Sequence, residues 1–272
     1  MDDCFRHKHK ITARRIFFAI ALAGSCCLLN AGVASGMPPK AFQEGEKLLY
    51  KATWLWFDAG MVETAAPEFV SDDGKKFARF TIHTWTTNTI AHIFTMDDRF
   101  ESLWDIDERV PVSYFGKVRE THTVRDKKMA FDQKSKLVTV QEDKSPEKVF
   151  PFRPNTQDFI SASYVTRGHG LEPGEKVFIP VFEDNKNYDA LIEVVRRERI
   201  PVLGGLMDTV VITGTLGFEG AFQKNKKVYL WLSDDEFHVP VKIQMRFAFG
   251  TVTLSLEKAE GVAFKLISVA TK

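Results

Sequence analysis

The stretch KLLYKATWLWF, residues 47–57, decides the fold, because its bulky side chains recur with a period of two. Successive side chains of a β-strand point to opposite faces of the sheet. One face would carry Leu48, Tyr50, Ala52, Trp54 and Trp56. The stretch therefore predicts a β-strand with one strongly aromatic face, and the DAG at residues 58–60 predicts the turn that follows it.

The same period continues along most of the chain. Short runs rich in β-branched and aromatic residues, such as FARFTIHTWTT (77–87), follow turn-forming clusters such as SDDGKK (71–76). No linker or internal repeat divides residues 40–260. We therefore expect a mainly β fold, a single antiparallel half-barrel or barrel-like domain.

One short helix is expected to pack on this sheet, in NTQDFISASYVTR (155–167). Asn155 can cap it, Asp158 then occupies the third helical position of a capping box, and Gly168 and Gly170 can end it. A brief helical turn is expected in NTIAHIFT (88–95). The apolar face of the main helix would be Phe159, Ile160, Ala162, Tyr164 and Val165.

The first 34 residues have the pattern of an export signal. Five basic residues precede the apolar run IFFAIALAGSCCLLNAGVA, which ends in small residues at Ala34. Cleavage after Ala34 or after Gly36 fits this pattern. Two alternatives remain open: an uncleaved membrane anchor of about twenty residues, and lipidation at Cys26 within an imperfect AGSC box, which would give an outer-membrane lipoprotein.

Cysteine and charge content bound the function of the processed chain. Cys4, Cys26 and Cys27 all lie within the signal, so a chain cut after Ala34 has no disulfide. Removal of residues 1–34 takes away five of 37 basic and two of 36 acidic residues, leaving 32 against 34. A nearly neutral domain gives no electrostatic reason to expect nucleic acid as a partner.

The acidic stretch WLSDDEFHVP (231–240) has the residue types of a metal or acid/base site, but its context favours a hairpin turn. It lies between KVYLWLS and VPVKIQMRFAF, which both have the pattern of strands. Asp and Ser favour turns because their side chains bond nearby backbone N–H groups. Adjacent Asp234 and Asp235 would also point to opposite faces of an extended chain.

No motif for catalysis, metal or cofactor binding stands out elsewhere. The histidines of the processed chain lack the spacing of a ligand pair, and no nucleophile elbow, HExxH or phosphate loop is present. We predict no catalytic residue, metal or cofactor. If the chain were an enzyme acting on glycan or peptide, the first candidates would be Asp97, Asp98, Glu101 and His122.

Aromatic residues are the prominent feature, with 23 Phe and five Trp. Several strands have bulky residues on both faces, which predicts either an ordinary core or a cavity for an apolar ligand. The candidate ligand-binding residues are Trp54, Trp56, Phe57, Trp85, Trp104, Phe159, Tyr164, Trp231 and Phe247.

Four stretches resemble an exported bacterial family, domain of unknown function 3108 (DUF3108). They are GEKLLYKATWLWFDAGMVE, DFISASYVTR, GEKVFIPVF and VYLWLSDDEFHVPVKIQMRFAFGTVTLSLEKAEG, within residues 44–261. The resemblance implies a Gram-negative periplasmic or outer-membrane-associated protein with a mostly antiparallel β fold. The last stretch is also similar, at the level of fold, to periplasmic lipoprotein carriers, which bind acyl chains in a curved half-barrel.

Two functions are therefore expected. The first is a periplasmic binding protein that holds a lipid, acylated molecule or similar apolar group in a β cavity, with possible association with a membrane surface. The second is a scaffold or assembly factor that binds another envelope protein through a sheet edge or aromatic patch.

Overall fold

The computed structural model describes residues 42–72, 74–215, 227–247 and 250–267, without the side chains of residues 67, 88, 89, 215, 227 and 247. The predicted signal, with its cleavage and lipidation sites and all three cysteines, lies outside the described residues. Two helices are described, α1 (Asn88–Ala91) and α2 (Phe159–Arg167). The strands are β1 Glu46–Trp54, β2 Phe57–Asp72, β3 Lys75–Thr86, β4 Asp97–Asp105, β5 Val110–Glu120, β6 Thr123–Asp132, β7 Leu137–Glu142, β8 Lys148–Pro151, β9 Lys176–Glu183, β10 Lys186–Val202, β11 Gly205–Thr215, β12 Lys227–Ser233, β13 Pro240–Phe247 and β14 Gly250–Glu260.

All of these strands form one antiparallel sheet. Its order is β8-β7-β6-β5-β4-β3-β2-β1-β14-β13-β12-β11-β10-β9. Every neighbouring pair is consecutive in the chain except β1 and β14, which lie side by side at the centre of the sheet. The sheet is not closed, because β8 and β9 are its two edges. The predicted mainly β, barrel-like antiparallel fold is confirmed.

The chain between β8 and α2 spans the seam between these edges. Gln157 forms a parallel bridge with Val181 of β9, in which its N–H donates to the Pro180 carbonyl over 2.8 Å. Arg153 donates to the Asp189 carboxylate and to the Tyr188 carbonyl of β10. These contacts bring the two edges together without joining them as a ladder.

Helix α2 begins at Phe159, so the prediction that Asn155 caps it was wrong. The N-cap is Asp158, whose carboxylate accepts the N–H groups of Ile160 and Ser161, while the Ser161 hydroxyl accepts the Asp158 N–H. Asn155 lies earlier, in a left-handed conformation with φ 61°. The capping box is therefore real but lies three residues later than predicted, with serine at the third helical position.

Helix α2 fills the concave side of the sheet, which we call the interior. The Tyr164 ring stacks on Phe80 of β3 with centroids 4.1 Å apart, and Phe159 meets Phe100 and Tyr114 edge-on at 5.7 and 5.5 Å. Its other face, with Ala162, packs against a second apolar cluster on β9–β12. The helix is thus buried on almost all sides, including its last residue, Arg167.

The first hairpin turns earlier than predicted. Trp54 pairs with Phe57, so Leu55 and Trp56 form a two-residue turn, with Leu55 at φ 56°. The DAG at 58–60 lies inside β2 and is not a turn. Gly60 is required for a different reason: a Cβ atom there would collide with the Trp85 carbonyl of β3.

The acidic stretch at 231–240 is a hairpin turn, as predicted. It joins β12 to β13, and the Asp235 carboxylate accepts the Ser233 hydroxyl and the N–H groups of Phe237 and His238. Asp234 instead pairs with Arg197 over 2.9 Å. The two carboxylates serve separate structural bonds and do not converge.

Candidate functional site

A pair of buried carboxylates lies in the interior near one end of the sheet. Alternate residues of β4 face inward, and Asp98 shares that face with Phe100, Ser102 and Trp104. Glu120, the last residue of β5, lies beside it. Asp98 is 1% exposed and Glu120 is 8% exposed. We call these two residues the acidic pair.

Hydrogen bonding satisfies the acidic pair only in part. The Arg119 N–H donates to Asp98 Oδ1 over 2.8 Å. Asp98 Oδ2 is buried and has no hydrogen-bond partner among the described residues. The hydroxyl of Thr123 and the positive charge of Arg125 act on Glu120 from β6. A buried carboxylate with an unused oxygen is costly, because water no longer solvates it.

A buried ion pair spans the seam. Lys127 Nζ of β6 lies 2.8 Å from Glu183 Oε1 of β9, and both residues are buried. Glu183 Oε2 is buried without a hydrogen-bond partner in the part of the chain that the structure describes. This pair is neutral by itself, and Arg125 is the cation that acts on both Asp98 and Glu120.

The pKa values of the acidic pair follow mainly from burial. Burial, with a smaller contribution from the Asp97 charge, raises the pKa of Asp98 to about 6. Burial and the Asp98 charge raise the pKa of Glu120 to about 7. Burial also raises the pKa of Tyr114, and the carboxylates of Glu183, Asp158 and Asp98 act in the same direction. The interior near this end is therefore unfavourable for further negative charge.

The four acid/base candidates from the sequence do not come together. Asp98 faces inward, whereas Asp97 and Glu101 lie on the opposite face of β4, where Asp97 pairs with His83 and Arg99. His122 is exposed in the turn between β5 and β6. Sequence reasoning missed Glu120, Arg125, Lys127 and Glu183. One sequence signal was available: Lys127 lies two and four positions before Met129 and Phe131, so in a strand it points to the same buried face as they do.

The nine aromatic candidates separate into four groups. Trp104, Phe159 and Tyr164 are buried in the interior core, and Trp54 packs against that core at its border. Trp85 lies on the outer face beside His83, whereas Trp231 is buried in the same core cluster, with its ring beneath the Lys242 ammonium at 4.6 Å. Trp56 and Phe57 are exposed at the first hairpin. The side chain of Phe247 lies outside the described residues.

Four exposed apolar side chains lie at the same end of the sheet as the acidic pair. Leu55, Trp56 and Phe57 are 50%, 77% and 44% exposed, and Ile93 in the connection from β3 to β4 is 82% exposed. We call these four residues the apolar rim. They belong to neighbouring segments, because the Thr87 hydroxyl donates to the Asp58 carbonyl.

The segment 87–96 connects the rim to the acidic pair. It carries Ile93 and ends at Met96, which forms a bridge with Glu120. Its Thr95 N–H donates to the Thr121 hydroxyl over 2.6 Å. A ligand that touched the rim at Ile93 would therefore lie close to the strand ends that carry Asp98 and Glu120.

Comparison with family descriptions identifies the chain. Residues 49–257 match the protein of unknown function family DUF3108. The chain belongs to the DUF3108 family. The resemblance drawn from the four sequence stretches is thereby confirmed. No curated protein sequence matches this DUF3108 chain.

Solved structures show a related fold. A β-barrel-like protein of the DUF1849 family from Brucella abortus matches with a TM-score of 0.52 and 10% identity, over 80% of this chain and 98% of that one. A putative exported protein with a YmcC-like fold from Bacteroides fragilis matches at 0.38 and 9%, over 80% and 96%. A hypothetical protein from Chlamydia trachomatis matches at 0.35 and 7%, over 85% and 93%. The first likeness supports the barrel-like fold of the DUF3108 chain and nothing further.

Two further features of the DUF3108 chain concern metal ions and membranes. Within the described residues, no group of three His, Cys, Asp or Glu side chains is arranged to hold a metal ion. Over the same residues, neither helix has the length and apolar character needed to span a bilayer. The features that could bind a ligand are the apolar rim and the acidic pair, in which one buried carboxylate oxygen has no hydrogen-bond partner among the described residues.

Proposed function

We propose that this DUF3108 chain is an exported, envelope-associated binding protein that engages the apolar part of a lipid or acylated molecule. The observation that carries the proposal is the apolar rim. Leu55, Trp56 and Phe57 are consecutive in a hairpin turn, and all three side chains remain exposed together with Ile93. A contiguous exposed apolar patch marks an interaction surface more often than a scattered hydrophobic residue does.

The size of the rim favours a lipid over a protein as its partner. A fully covered aromatic side chain buries about 150–250 Å², so four partly exposed apolar side chains offer roughly 400 Å². A stable protein interface takes about 800 Å² from each partner. A projecting turn with tryptophan at its tip can instead enter the boundary between lipid headgroups and acyl chains, where tryptophan is favoured.

The interior offers less room for an acyl chain than the sequence suggested. The side chains of Trp104 and Tyr164 pack on Phe80 and Phe42, and Phe159 packs on Phe100 and Tyr114. We therefore assign first contact with the ligand to the rim. Export and a location in the periplasm or at the outer membrane remain part of the proposal, on the pattern of residues 1–34.

The test is binding of the processed protein, purified from its own envelope without detergent, to phospholipid vesicles and to a fluorescent fatty-acyl probe. The variant Trp56→Ser/Ile93→Ser removes two rim side chains. Val149→Ser is the matched control, because Val149 is 57% exposed on the edge strand β8. Burial of one large apolar side chain contributes about 1.5–3 kcal/mol, so the rim variant should lose at least about tenfold in affinity.

The control should bind as the wild type does. Equal binding by the rim variant, or no binding of vesicles and probe by the wild type, would refute the proposal.

A scaffold that binds another envelope protein is the second candidate. The packing of Trp104, Phe159 and Tyr164 against other aromatic rings favours it, because a protein partner needs no acyl-chain cavity. If native mass spectrometry of the purified protein shows a polypeptide and no acyl species, this candidate replaces the first.

A further inference from the structure

We propose that the acidic pair is a binding site for a primary ammonium group, held in the interior beneath the apolar rim. If this ammonium belongs to the amphiphile that the rim engages, the inference rests on the proposed function and names the headgroup class. The ammonium site itself depends only on the interior residues described above.

The charge count points to one added cation. The groups near Asp98 and Glu120 come from β4, β5, β6, β9 and α2. The carboxylates of Asp98 and Glu120 share one cation, Arg125, which leaves one negative charge over, while Glu183 and Lys127 neutralise each other. Asp97 and Arg119 have their own partners on the outer face, and Asp158 is satisfied by Ser102 and the α2 N-terminus.

An unused hydrogen-bond acceptor points to a donor. Asp98 Oδ2 is buried and accepts no hydrogen bond from the described residues. An ammonium group has one positive charge and three N–H donors, so it would balance the extra negative charge and supply the missing hydrogen-bond donor. The absence of three metal-type ligands in one place, within the same described residues, disfavours a divalent cation.

Protons compete with the ammonium for this site. Burial raises the pKa of Asp98 to about 6 and that of Glu120 to about 7, so the site already takes up protons near neutral pH. A bound ammonium requires the ionised carboxylates. Affinity should therefore be highest near pH 8 and fall by at least about tenfold by pH 5, one pH unit below the lower pKa.

The experiment measures the melting temperature of the processed protein in ethanolammonium chloride, against choline chloride at equal concentration. Choline carries the same charge but has no N–H donor. Ethanolammonium should raise the melting temperature at pH 8, choline should not, and the difference should vanish at pH 5. Asp98→Asn and Glu120→Gln should abolish the effect, whereas Asp97→Asn, which removes the neighbouring outward carboxylate, should keep it.

Equal shifts with both salts, or an unchanged response in Asp98→Asn, would overturn the site. Should the interior variants fail to fold, carboxyl NMR of the wild type replaces them: ethanolammonium must lower the pKa of Glu120, and an unchanged pKa overturns the proposal. The short probe has no acyl chain, so Trp56→Ser/Ile93→Ser should respond as the wild type does. Vesicle binding therefore tests the rim, and the melting-temperature shift with ethanolammonium tests the ammonium site, so either proposal can fail without the other.

Discussion

Replacement of Glu46 by leucine should destabilise the folded protein by about 3–5 kcal/mol, because it leaves the Arg167 guanidinium buried without its counter-charge. The two side chains are 1% and 2% exposed. Arg167 donates two parallel bonds of 2.6 and 2.7 Å to the Glu46 carboxylate. Its Nε donates only to the Phe237 carbonyl, at 3.1 Å. No neutral group at position 46 can replace the lost charge.

A neighbouring surface pair provides the control. Lys47 lies 3.1 Å from Glu63, but these side chains are 48% and 31% exposed. Glu63→Gln should cost less than about 1 kcal/mol, since exposed pairs are screened and solvated. The double variant Glu46→Leu/Arg167→Met should recover much of the loss, because it removes both buried charges.

The assay is urea unfolding, with the slope compared across variants to confirm that the same surface becomes exposed. The reasoning fails if Glu46→Leu costs no more than Glu63→Gln. It also fails if the double variant is as unstable as the sum of its single changes, since the cost would then not arise from an unpaired charge.

Three further predictions concern the backbone, the interior and the turn. Gly60→Ala should cost about 1–3 kcal/mol in urea unfolding, because its Cβ meets the Trp85 carbonyl; an unchanged midpoint would contradict the close approach. The folded-state pKa values of Asp98 and Glu120 lie above those of the unfolded chain, so the folded protein binds more protons between about pH 4 and 7. The free energy of unfolding should therefore rise as pH is lowered from 8 towards 5, and Asp98→Asn should flatten that rise; a fall with acid would exclude the raised pKa values. Asp235→Ala should cost roughly 1–2 kcal/mol by leaving three donors of the β12–β13 turn without their acceptor, and a change within measurement error would show that solvent replaces it.

The fold could be predicted from the sequence because it rests on local signals. Alternation in residues 47–54 marked β1, and turn residues at 234–239 marked the β12–β13 hairpin. The position of the first turn could not be predicted, since Leu55 and Trp56 are poor turn formers by composition. In the register of β1, Trp54 pairs with Phe57 on one side and with Val252 of β14 on the other, and the second partner lies about 200 residues away in the chain.

The candidate site was less accessible to sequence reasoning. Asp98 was a candidate from the sequence, but the residues near it in the sequence do not indicate which side chains lie near it in the fold. Glu120 lies 22 positions later and meets it only because β4 and β5 pair. Glu183 reaches the interior across the seam from the far edge of the sheet. The sheet brings these charges together, and its curvature follows from packing around α2, which no local pattern reports.

The pairing of β1 with β14 has a consequence for how the chain is made. Strands β1–β8 form one meander of neighbours and β9–β14 form another, and within each the contacts are short in sequence. In the sheet, the two meanders are joined by the pairing of β1 with β14, about 200 residues apart, and they approach again at the seam spanned by the chain before α2. Contacts of such separation form slowly, because a long loop must close first. During synthesis the first meander therefore emerges with the β14-facing side of β1 unpaired, until the last strand covers it. Until β14 has been made, the unpaired edge of β1 could pair with another chain, so this topology requires that edge to be protected during synthesis.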